Sequence, residues 1–369
     1  MPKIYELFGH RITDRSPEAE ACRKAALCPF SGLDCDGGGN RYLSNVTLAG
    51  KPGLQRYFPS KKVVPSGVCS IQPRPNEAPW IVCPRRLMVL ASHGGKAPRH
   101  QDATKSFLLK HSKYRPGTRL GVWPEVKLKF EMSDDGTRRT FDYAFDYIVM
   151  PLGRRSQRDV ESDTGQKWGL VRDAAESAGY SMARREGKYF VEDFPYGEPM
   201  LVEIMTCSTS GGNKTKRNTI PMSFEDAILG KEHEAPGINY RQVWARMVSQ
   251  LVVKSEIAIR WGGTAFWILQ DVLVDYISRS TALDLRQFLA ERTSEVNVMA
   301  LSYGTDMEKK HGVVELAQGK LFAGPIRPDG TPNKPSFQDI IRLGVCPPKS
   351  SLVKLLANRR PAGILVIAR

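Results

Sequence analysis

An ionised acid taken out of water is costly unless it is paired or bound to a metal. Met200-Leu201-Val202-Glu203-Ile204-Met205-Thr206 places one carboxylate in the middle of an apolar run, between Pro199 and the polar, glycine-rich residues 208–213. That pattern predicts a single buried strand, and Glu203 on it is either a satisfied core residue or a ligand. Upstream, residues 126–132 alternate Lys127, Lys129 and Glu131 with Val126, Leu128, Phe130 and Met132. Residues 141–147 alternate Phe141, Tyr143, Phe145 and Tyr147 with Asp142, Ala144 and Asp146. A turn signal, Ser133-Asp134-Asp135-Gly136, joins the two strands. If that turn sets residue 131 opposite an even-numbered partner, Glu131 and Asp142 share one face with the lysines. Three strands aiming acids at one place make a divalent-metal site; the plain alternative is an amphipathic hairpin with solvated acids.

Sulfur is the second chemistry. Cysteines stand at 22, 28, 35, 69, 83, 207 and 346, five of them within the first 83 residues. In a chain read as cytoplasmic, such clustering points to metal rather than disulfides. Cys28, Cys35, Cys69 and Cys83 suit a tetrahedral four-sulfur site, two of them followed by proline. The spacing is neither a CxxC ribbon nor a RING pattern. Cys22 is an alternative member, and buried or free thiols are the plain reading. His93, His100 and His111 show no ligand spacing and are expected to be solvated or phosphate-facing. An HNH nuclease would need CxxC knuckles, which are absent.

The elements that position these groups follow in order. Ser16-Pro17-Glu18 predicts a helix start, with cap, proline and first-turn acid. Residues 152–198 read as an insertion with a helical segment. A long helix is expected over Tyr240–Arg260, with Val243, Met247 and Leu251 on its apolar stripe. Gln250 and Lys254 lie four apart on it, on one neighbouring face. A buried strand begins at Thr264, a helix at Asp271 and a further strand near Glu295. The sum is an α/β (α+β) protein, a mixed sheet flanked by helices with a small cysteine-bearing N-terminal region. The expected division is 1–90 for the metal-binding region, 91–303 for the core and 304–369 for a C-terminal extension of it.

Composition narrows the partners. Fifty-four Lys and Arg against 39 Asp and Glu give a net charge of +15. The basic residues are spread along the chain, as in a folded protein with a basic groove. A polyanion partner is expected. No run approaches the roughly 20 apolar residues of a membrane helix, and the first residues lack the apolar core of a signal peptide; a cytoplasmic protein that engages no membrane is expected.

Several of these pieces, in this order, resemble the NotI-type restriction endonucleases. They are Phe8-Gly9-His10-Arg11, Cys28-Pro29-Phe30, Gly67-Val68-Cys69, Trp80-Ile81-Val82-Cys83-Pro84 with Arg86, Lys127-Leu128 with Glu131, Phe141-Asp142, Glu203-Ile204, Gln250 and Lys254, and Gly263-Thr264 with Gln270. They cover roughly residues 5–90, 120–146 and 198–275. The resemblance implies a PD-(D/E)xK core and homodimeric, Mg²⁺-dependent cutting of double-stranded DNA at a palindromic, GC-rich site. Glu131, Asp142 and Glu203 then look like the catalytic acids, with Mg²⁺ on Asp142 and Glu203. Cys28, Cys35, Cys69 and Cys83 look like ligands of a structural iron or zinc. Two departures stand out. The family's glutamine after Glu-Ile is Met205 here, so that either the subunit is inactive or Lys254 or Gln250 supplies the missing donor. Asp142 is also far from Glu203 in sequence, and Asp146 on the same face is its alternative. The competing expectation is a DNA-binding protein with a structural metal and lost or weak cleavage.

Overall fold

The computed structural model describes residues 1–37, 45–91, 97–134, 137–280, 285–327, 336–337 and 348–367. His93, Cys346, the glycines at 38 and 39 and the last two residues of the 133–136 turn lie outside them.

Among the described residues the frame is a nine-stranded mixed sheet. A long hairpin, Arg119–Asp134 against Thr137–Ser156, forms one side of it. The second hairpin strand pairs antiparallel with Met200–Met205, which continues parallel to Thr264–Gln270 and then to Val296–Tyr303. Parallel neighbours need a crossover, and the helices Tyr240–Arg260 and Asp271–Ser280 supply the two. Gly263 makes the first return possible. A Cβ there would stand 1.8 Å from the carbonyl oxygen of Pro199, so only glycine lets the helix exit lie against the start of the Glu203 strand.

Both faces of the central strands are buried. Leu201, Met205, Trp267 and Leu269 pack with Met247, Leu251 and Ile257 of the long helix. Met200, Val202, Ile204, Phe266 and Ile268 pack on the other side with Leu87, Met88 and Leu108. Leu108 belongs to a helix, Arg99–Lys110, whose other buried residues are His100, Gln101 and Thr104.

The N-terminal region carries its own sheet, in which Lys3–Leu7 pairs with Val68–Gln72 and the latter with Trp80–Ile81. Its helix Pro17–Ala25 starts at the expected cap, Ser16 accepting from the amide of Ala19. The region is not separately cored: Ile4, Leu7, Leu54 and Trp80 share one apolar cluster with the main sheet. Gln270, buried at the end of its strand, accepts from Ile81 N and donates to Pro79 O, tying the two sheets together. The C-terminal extension joins the main sheet through Leu316–Gly324 and Gly363–Val366.

Candidate functional site

The hairpin does not keep one alternation along its length. Phe145 and Val126 face the long-helix side, yet Tyr147 and Val122 lie in the cluster on the opposite side, while Ile148 and Trp123 are back with the first. The faces exchange where Glu125 adopts a left-handed φ of 51° beside Pro124. Proline in a paired strand marks such an irregularity. Reading strict alternation through Tyr147 therefore misplaced it, because aromatic residues on both sides of the break conceal it.

Asp146 sits at this break, directly across from Glu203: Tyr147 pairs with Val202 and Ile148 with Leu201. The two strands exchange hydrogen bonds through these acids. Ile204 N donates to Asp146 Oδ2 at 2.8 Å, and Asp146 N donates to Glu203 Oε1 at 3.3 Å. From the long helix, Lys254 Nζ reaches Glu203 Oε2 at 2.5 Å. Gln250 stands half-buried one turn earlier. Burial pushes the Glu203 carboxyl up to about 8; the Lys254 ammonium opposes the shift and the Asp146 charge adds to it. Met205, on the same face two residues on, is buried in the apolar cluster and offers no polar atom to the site.

Two expected acids stand elsewhere. Asp142 pairs with Lys129, and Glu131 with Thr140, which confirms the even-numbered register. Both are exposed on the outer half of the hairpin, and Glu131 is bridged to Arg138. Asp142 lies four residues beyond Asp146, about 13 Å along a strand, so Asp146 rather than Asp142 faces Glu203. The placement follows from register, since only residues near the break lie beside the Glu203 strand.

The four cysteines come together in one small cluster with Phe30 and Val89. Cys22 is outside it, packed on the main core. Two Cys-Pro turns point backbone amides at their sulfurs: those of Phe30 and Ser31 at Cys28, and those of Arg85 and Arg86 at Cys83. Cys69 Sγ accepts from Gly9 N at 3.3 Å and Cys35 Sγ from Gly37 N at 3.4 Å. The thiol of Cys69 hydrogen-bonds Cys83, which raises the first and lowers the second. Burial pushes Cys28 and Cys35 up, and the nearby Cys83 adds to both. As it stands, no group of three or more His, Cys, Asp or Glu side chains among the described residues is arranged to hold a metal ion.

His100 is a further correction. It is buried, its Nδ1 2.7 Å from Glu315 Oε2 and its Nε2 3.3 Å from Arg86 Nη1, so it belongs to an internal ion network and not to a solvated surface. That network, centred on Glu6 and Arg86, had no periodic signal in the sequence.

No protein-family model matches the chain, and no curated protein matches it. No helix among the described residues is long and apolar enough to cross a membrane.

Proposed function

We propose that this chain is a Mg²⁺-dependent, site-specific DNA endonuclease of the PD-(D/E)xK kind, with Asp146, Glu203 and Lys254 as its reacting groups. The convergence of a hairpin acid, a strand acid and a helix lysine is the observation that carries the reading. Two carboxylates across adjacent strands fit Mg²⁺, which takes one or two acids and completes its shell with water and substrate phosphate. The burial that raises Glu203 disfavours its charge and is relieved by a cation.

Asp146 and Glu203, their positions set by the two inter-strand hydrogen bonds, would hold the cation, which would supply polarisation of the scissile phosphate and a more acidic attacking water. Lys254, anchored by Glu203, supplies the ammonium that Met205 does not. Lys127 and Lys129, exposed on the hairpin, and the net charge of +15 support a polyanionic partner whose binding weakens with salt. Duplex specificity, a palindromic GC-rich site and a homodimer rest on the resemblance to NotI-type enzymes. So does a structural iron or zinc on Cys28, Cys35, Cys69 and Cys83, whose amide-capped sulfurs suit thiolate ligation.

Incubating plasmid and genomic DNA with the protein, with and without Mg²⁺, tests the reading. Discrete fragments that disappear in Glu203→Ala support it. Intact DNA under tight, salt-sensitive binding favours a DNA-binding protein without cleavage, and loss of both removes nucleic acid as the partner. Elemental analysis decides iron against zinc, and its finding neither sinks the cysteine site.

A further inference from the structure

Arg85 belongs to neither the acids nor the sulfurs, yet it stands between them. Its amide is one of the two that face Cys83, so the Cys-Pro turn fixes where the residue begins. Its side chain lines a small cleft together with Asp146, Glu125, Tyr147 and Ile204. Asp36, the neighbour of Cys35, accepts from its Nε at 2.8 Å and also from Nη2. Glu125 approaches Nη2 at 3.6 Å. The Nη1 edge makes no hydrogen bond among the described residues, and 27% of the side chain is open to solvent.

Its neighbour shows what a purely structural arginine looks like here. Arg86 is fully buried and spends all three guanidinium nitrogens on Glu6, Val314 and His100. Arg85 is hydrogen-bonded by one carboxylate with a second, Glu125, nearby, and among the described residues its Nη1 edge stays unbonded in the cleft that Asp146 also lines. A guanidinium stays charged and presents its donors in a fixed fork that matches phosphate.

We propose that Arg85 binds a backbone phosphate of the DNA through its free Nη1 edge, beside Asp146, and that the cysteine cluster positions it there. This rests on the endonuclease reading. It links the two chemistries of the chain: the sulfur cluster places a substrate-binding cation at the acids.

Single-turnover cleavage and duplex binding of the wild type, Arg85→Ala and Arg85→Lys test it. Arg85→Ala is expected to cut about 10²-fold more slowly, the scale of losing one oriented donor, with melting unchanged and with the rate raised by added guanidinium. Arg85→Lys keeps the charge without the fork and remains slow. A wild-type rate in Arg85→Ala, or a slow rate that guanidinium does not raise, overturns the proposal. Should Arg85→Ala fail to fold, Arg85→Lys decides, and a wild-type rate there overturns it. If the wild type itself leaves DNA intact, the endonuclease reading fails. Duplex binding then judges Arg85: weaker affinity with a smaller salt slope upholds the phosphate contact, and unchanged binding removes it.

Discussion

Two buried carboxylates in this molecule each face a cation, and they are built to opposite ends. Glu6 accepts from both Nε and Nη2 of Arg86, from Ser70 Oγ at 2.7 Å and from Tyr303 OH at 2.7 Å. Both oxygens of that acid accept hydrogen bonds, and Arg86 passes its remaining donors to Val314 O and His100. Glu203 has one ammonium and one backbone amide. It faces a second acid, and burial drives its carboxyl upward instead of being offset. The first pair closes on itself and acts as a clamp. The second sets two acids against one ammonium, the imbalance that the proposed cation would offset.

The comparison is broken most directly by removing one member of the clamp. Arg86→Met is expected to lose about 3–5 kcal/mol, because it strands Glu6 without its counter-charge. Denaturant unfolding measures this, and a loss below about 1 kcal/mol would show that the clamp holds little. On the candidate site the double variant Glu203→Gln/Lys254→Met removes both charges together. Its stability should be unchanged or higher by up to about 4 kcal/mol, while Mg²⁺-dependent cleavage is lost. A large drop in melting temperature would place Glu203 with Glu6 as structure.

A third pair of variants sharpens which acid serves the site. Asp146→Asn is expected to slow cleavage by about 10²-fold or more, whereas Asp142→Asn, exposed on the outer hairpin, leaves the rate near that of the wild type. The reverse result would restore Asp142. The smallest effect is in acid. Burial lowers the His100 imidazole against Glu315, and Glu315, despite its own burial, is held at about 2 by hydrogen bonds from the His100 side chain and the amides of His100 and Arg99. Both shifts have the same sign for stability. Below the ordinary histidine range of about 6.5 the unfolded chain takes a proton first, and below about 4.3 it does so again at Glu315. Stability is therefore full near neutrality and falls as pH drops toward about 2. Glu315→Gln should flatten the lower part of that curve in melting experiments; an unchanged curve would remove Glu315 from the account.

The elements with strong local patterns were legible in sequence. The strand at Met200–Met205, the helix Tyr240–Arg260 and the cap at Ser16 all sit where spacing placed them. Lys254 was visible too, because its turn of the helix follows from the apolar stripe. What stayed hidden depended on long-range register. Asp142 and Asp146 share a face in any ideal strand, and only pairing with residues 200–202 decides between them. The helix Arg99–Lys110 was missed because its buried face is made of His100, Gln101, Thr104 and Leu108, which carry almost no hydrophobic periodicity. The clamp was invisible for a related reason: its members lie at positions 6, 70, 86, 100, 303 and 314.

Those positions also order the events of synthesis. The four clustered cysteines lie between residues 28 and 83, so all of them are made before Tyr303 and Val314. Tyr303 and Val314 emerge only after the strands Met200–Met205 and Thr264–Gln270 have been made. At about 5–20 residues per second, more than ten seconds separate Arg86 from its last partners. Throughout that interval Glu6 and Arg86 lack the Tyr303 and Val314 partners that complete the clamp in the folded protein. The clamp is therefore a late lock, one that can close only once the far end of the chain has arrived.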